Sequence, residues 1–271
     1  MGTGIASAIR SLISHRELIF EMTRRDISMR YKSSFLGSLW MFGQPLLQLL
    51  LYGFVFQVVL RSRWGIQAPD GKDIPFGLLL FCGILLHGLI VDTIVRSPSL
   101  IVSNTSYVKR VIFPLEILPL VSAAGTAIGL AFGMGILLAA SLYYLGTLPY
   151  QALLLPIPLI LLFVLTVGLG WLLSAVGVFF RDLSQLTTSL GTIMLFTAPI
   201  CYPAEMVPQR FRWLLNINPL TVPVEAVRTL MFSHNAVDWA SMGVYAAVAA
   251  LTATLGYAVF YRMRPGFADV L

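Results

Sequence analysis

The 271-residue chain is 58% hydrophobic and only 11% charged, against about 25% charged in an ordinary soluble domain. Several separate apolar runs reach the roughly 20 residues that cross a bilayer, so composition excludes a soluble globular domain and predicts an all-α, polytopic membrane protein. The net charge of +6 implies no nucleic-acid partner, because the basic residues are distributed by membrane side instead of forming one patch.

Residues 1–34 carry Arg10, Arg16, Arg24, Arg25, Arg30 and Lys32. No apolar core follows the first basic residue, so a cleavable signal is not expected. Ile5, Ile9, Leu12, Ile13, Ile19, Phe20 and Ile27 share one face at helical spacing. That predicts an amphipathic interface helix against the lipids of the inner leaflet. Arg16 and Arg30 interrupt the face, and a solvated basic arm is the competing reading.

Six spans are expected, at about 35–60, 75–95, 115–145, 152–180, 183–202 and 239–261. The first carries Trp40, Gln44, Gln48 and Tyr52 at steps of four, a stripe that drifts only about 40° per step. Asp92 and Arg96, near the end of the second, are spaced to pair with one another. In the third, Gly125, Gly129 and Gly133 recur every four residues and would let another helix approach closely. The fourth begins with Pro156 and Pro158 in its first turns, and Arg181 with Asp182 forms a polar turn into the fifth. There Gln185, Thr188, Thr192 and Phe196 make a second stripe. Burying such amides in lipid would cost on the order of a few kcal/mol each. Both stripes should therefore meet protein or water, either as the wall of a conduit or as hydrogen-bonding contact between helices.

Two segments fit neither span nor simple turn. Residues 104–114 hold Tyr107, Lys109, Arg110, Phe113 and Pro114. Pro114 stops a helix arriving from its amino-terminal side and pushes Phe113 towards extended geometry, so a short helix with a hard end is expected. With the amino terminus inside, twelve of the 18 basic residues fall on the inner side: six in residues 1–34, then Arg96, Lys109, Arg110, Arg181, Arg262 and Arg264. Both termini and the 104–114 loop are thus expected in the cytosol. Residues 203–236 contain Pro203, Pro208, Pro219 and Pro223 between two short apolar patches. They suit a pair of half-helices re-entering the outer leaflet, or a cap lying flat on it.

The chemistry of a catalytic centre is missing from the pattern. His15, His87 and His234 are scattered, His87 lies five residues before Asp92 and should face another way, and no cluster has metal-ligand spacing. Neither a metal nor a cofactor is expected in this chain. Cys82 and Cys201 sit in apolar context and suit packing instead of a disulfide framework. A proton-coupled transporter would place acids near the midplane, whereas Asp92, Glu116 and Asp182 lie near the inner ends of their spans.

Several short motifs occur in order along the chain: Arg25-Asp26-Ile27 with Arg30-Tyr31-Lys32-Ser33-Ser34-Phe35-Leu36-Gly37, Trp40 and Pro45; Lys109-Arg110-Val111-Ile112-Phe113-Pro114-Leu115-Glu116; Phe180-Arg181-Asp182; Pro199-Ile200-Cys201-Tyr202-Pro203; and Asn218-Pro219-Leu220-Thr221 with Arg228. Together they resemble bacterial type-2 ABC exporter permeases for polysaccharides, O-antigen permeases above all, with capsule and teichoic-acid permeases near them. The resemblance implies a type-2 transmembrane fold with an interface helix, six spans and a re-entrant pair. It also implies a homodimer that moves a lipid-linked polysaccharide across the inner membrane on two ABC ATPase subunits. ATP and Mg would be bound by those partners, since no G-x-x-x-x-G-K-[ST] phosphate loop occurs here. Tyr107, Lys109 and Arg110 would then contact the ATPase, with positive-inside anchoring as the simpler reading of the two basic residues. The stripes on the first and fifth spans would line the conduit.

Overall fold

The computed structural model describes residues 5–32, 34–61, 73–109, 113–233 and 236–271, almost all of them in helices and the turns between them. The amino-terminal amphipathic run is two helices, α1 (Ile5–Ser14) and α2 (Arg16–Tyr31), where one was expected. The break lies at His15, which takes φ −105° and ψ 19° while its Nδ1 lies 2.8 Å from the Ser11 carbonyl oxygen.

A 3-10 turn at Gly37–Leu39 leads into α3 (Trp40–Tyr52), which continues as a π-helical segment, Gly53–Val59. Next comes α4 (Phe76–Leu100), the central helix, against which α3, α6, α7 and α8 pack. It runs five residues beyond the expected end at 95 and includes Pro98. The extension is held by packing: a Cβ on Gly177 would collide with the Pro98 backbone, so only glycine lets α4 and α7 come this close. Asp92 and Arg96 do not form the expected ion pair; both are exposed.

Short helix α5 (Thr105–Val108) ends at Lys109, and α6 (Ile117–Leu145) begins after Pro114. Gly146 closes α6 at φ 77°, a left-handed cap that glycine adopts without the steric cost of a Cβ. Helix α7 (Pro156–Phe179) starts with Pro156 in its first turn, where the missing N–H costs nothing. Then follow α8 (Leu183–Thr197), α9 (Arg212–Ile217), α10 (Thr221–Phe232), α11 (Trp239–Met263) and α12 (Phe267–Val270). The Asp238 carboxylate caps α11, accepting from the backbone N–H groups of Ala240 and Ser241, each at 3.1 Å.

Among the described residues, five stretches are long and apolar enough to cross a membrane: Gly37–Val59, Phe76–Leu100, Ile117–Leu145, Tyr150–Phe179 and Trp239–Val270. The chain is therefore a multi-pass membrane protein. Helix α8, on the expected fifth span, has 15 residues, a length of roughly 22 Å against the ~30 Å of a hydrocarbon core. The tightest helix crossing is one that spacing alone did not single out. Where α7 meets α11, a Cβ on Gly168 would lie 2.6 Å from the Ala253 nitrogen, and one on Gly256 would overlap the Gly168 carbonyl. Of the three glycines singled out in α6, Gly133 is pressed by Leu85 of α4 and Gly125 by Asp26 and Arg30 of α2, whereas Gly129 faces open space.

Candidate functional site

A cavity of about 360 Å³ lies between α2, α3, α4 and α6. Its α3 wall is the whole first-span stripe, Trp40, Gln44, Gln48 and Tyr52. Pro45 beside the stripe is buried, Trp40, Gln48 and Tyr52 are half-buried, and Gln44 stays exposed, as do Leu46, Leu47, Leu50 and Leu51. Opposite, α4 contributes both His87 and Asp92. The cavity wraps far enough around α4 to meet both, although five residues separate them. His87 also ties α4 to α8, with its Nε2 2.9 Å from the Gly191 carbonyl oxygen. The second stripe does not share this cavity. Gln185, Thr188, Thr192 and Phe196 are exposed and do not line it, and α8 offers Leu195 to the cavity instead.

The amino-terminal edge of the cavity is fixed by a polar anchor. Arg30 pairs with Asp26 at 2.6 Å and donates to Thr126 Oγ1 at 3.4 Å and the Ser122 carbonyl at 3.2 Å, both on α6. Gly125 is what leaves room for that pair. Arg30 therefore fastens α2 to α6, although in the amphipathic pattern it reads as a flaw.

A second candidate site surrounds α5. Tyr107 is half-buried; its ring stacks on Phe113 with centroids 4.4 Å apart, and its hydroxyl accepts from Arg25 of α2 at 3.4 Å. Lys109 is exposed at the end of α5, and Arg110 lies outside the described residues. Just beyond, Glu116 is buried and ties three other segments together. Its carboxylate accepts from Ser11 of α1 at 2.9 Å and from Arg264, after α11, at 3.0 Å. Its backbone carbonyl accepts from Trp171 of α7 at 2.8 Å. Sequence reading missed this junction, since Glu116 and Arg264 stand 148 residues apart and no local pattern links them.

At the other end of the chain's long helices, α8 is closed off by side chains from the segment that follows it. Asn218 Nδ2 donates to the Met194 carbonyl at 2.9 Å and to Thr197 Oγ1 at 2.7 Å. Buried Arg228 donates to the carbonyls of Leu79, Pro199 and Ile200. Pro199 and Ile200 lie in the turn after α8, where Arg228 supplies their carbonyls with donors that no continuing helix provides.

Comparison with known proteins is consistent with the resemblance read from the motifs. Residues 17–232 match the ABC-2 type transporter family. The chain is 27% identical over 258 residues to the O-antigen export system permease protein RfbA of Klebsiella pneumoniae, covering 94% of this chain and 95% of that one. It is 25% identical over 264 residues to the protein of the same name from Myxococcus xanthus, covering 96% and 98%.

Proposed function

The chain belongs to the ABC-2 type transporter family, and on that premise we propose that it is the membrane-spanning subunit of an ATP-driven exporter. The cargo is a lipid-linked polysaccharide of the O-antigen kind, moved from the cytoplasm across the inner membrane. Two copies assemble with two ABC ATPase subunits, which bind the ATP and Mg. In this reading α8 is the shortened fifth of six crossings and both termini are cytoplasmic. Helices α1 and α2 lie on the inner leaflet, and α9 with α10 re-enter the outer one. Helix α5 and Lys109 form the ATPase dock, together with Tyr107 and Arg110.

The observation that carries the cargo assignment is the α3 wall of the cavity. Trp40 and Tyr52 offer ring faces, and Gln44 and Gln48 offer amides to a ligand that is itself hydroxylated and ring-faced. The α8 stripe, exposed on a single copy, would complete such a conduit against a second copy. The test is expression with a paired ATPase in a bacterium lacking its own O-antigen permease. Polymer at the cell surface supports the reading. Polymer retained inside, with both subunits inserted and assembled, contradicts it.

A further inference from the structure

We infer that Glu116 and Arg264 are the positioning pair that joins α5, the amino-terminal helices and the segment after α11 into one mechanical unit. Helix α5 then cannot shift without carrying α1 and α2 along. The inference rests on the proposal that α5 is the ATPase dock.

The contacts form a closed circuit. Arg264 spends one guanidinium nitrogen on the Glu116 carboxylate and another on the Phe113 carbonyl, at 3.0 and 3.2 Å. Phe113 stacks on Tyr107, and Tyr107 receives Arg25 of α2. The second carboxylate oxygen of Glu116 takes the Ser11 hydroxyl of α1. Both ends of the docking loop are thus gripped by the same amino-terminal helices, with the pair as the hinge pin between them.

A buried carboxylate is a poor device for stability alone. Its desolvation offsets much of the attraction, and an apolar substitute of similar volume often serves as well. What an ion pair adds is direction: each oxygen and each nitrogen has one correct partner, so the relative placement of the segments is fixed. Glu116 is 6% exposed, and its two oxygens are bonded to different segments. Arg264 keeps about a third of its side chain in solvent, so the pair can be altered from its outer side without emptying the core.

The experiment uses the full exporter in proteoliposomes with its ATPase. Arg264→Gln and Glu116→Gln should still assemble and hydrolyse ATP, while polymer moved per ATP falls on the order of tenfold, within the roughly 5- to 150-fold typical of coupling between sites. The double variant should be no worse than either single one, because both remove the same link. Arg264→Lys, which keeps the charge, should recover part of the loss. Spin labels at Ser28 on α2 and Ser103 before α5, both exposed, give a readout that survives poor folding of any core variant. Their separation should stay constant between nucleotide-free and ATP-trapped states in the otherwise unaltered protein. A separation that changes with nucleotide, or unchanged export per ATP in Arg264→Gln, overturns the inference. Lys109→Glu examined alongside keeps the two ideas apart. If that variant assembles and couples normally, the docking assignment is what fails.

Discussion

Arg228 of α10 grips a single carbonyl of α4 twice: Nε and Nη2 donate to the Leu79 oxygen at 3.1 and 2.8 Å. The same guanidinium reaches Pro199 and Ile200 after α8, so one side chain pins three segments. Its planar fork makes this possible, and a lysine ammonium would not reproduce it. Each buried carbonyl left without a donor costs about 1–3 kcal/mol. Arg228→Met and Arg228→Lys should therefore lower the melting temperature of the detergent-solubilised protein by roughly 5–10 °C. A melting temperature equal to that of the unaltered protein would mean that the fork is not a fastening.

The glycines should separate by what faces them. Gly256→Ala forces a methyl into the Gly168 carbonyl, an overpacking that typically costs about 1–3 kcal/mol. Gly129→Ala meets open space and gains up to about 1 kcal/mol of helix propensity. Thermal unfolding of the two variants side by side should show loss in the first and no loss in the second. The reverse order would contradict the α7–α11 crossing.

The α3 stripe is tested by replacing Gln44 and Gln48 together with leucine. The expected outcome is an assembled complex with normal ATP hydrolysis and polymer export reduced at least about tenfold, since two amide contacts are lost along the path. Unchanged export would assign these residues to packing, as would loss of the assembled complex.

Cysteine labelling addresses the segment after α8, in a background without Cys82 and Cys201, which are both free thiols. Positions along Val224–Met231 should resist a bulky aqueous reagent, and Pro219 should be reached from outside. Val224, Val227, Leu230 and Met231 are already buried within one copy. Ready reaction along all of Arg212–Leu215 and Val224–Met231 would favour a cap lying on the surface.

Much of this organisation is legible in the sequence because it rests on local pattern. Apolar run length locates the long helices, and a four-residue rhythm puts Trp40, Gln44, Gln48 and Tyr52 together, as they are on one wall of the cavity. Pro114 marks the start of α6 to within a few residues. What stays hidden depends on partners distant in sequence. Gly168 and Gly256 look like any tolerated glycine in an apolar run, and only the crossing of α7 and α11 gives them meaning. Arg30 spoils an amphipathic stripe until Ser122 and Thr126 of α6 are seen to receive it. Glu116 reads as one more acid near a span end, yet its partners Ser11 and Arg264 lie more than a hundred residues away on either side. The direction of the α8 stripe is a similar case: periodicity puts Gln185, Thr188 and Thr192 together but does not say what they face.

The most direct test of the central claim is the energy source of export. The chain, co-reconstituted with its ABC ATPase in sealed vesicles holding lipid-linked polysaccharide, should move polymer only when ATP is hydrolysed. Transport should persist when an ionophore collapses the proton gradient. Transport that continues without ATP and stops with the ionophore would contradict the account and make the chain a proton-coupled carrier.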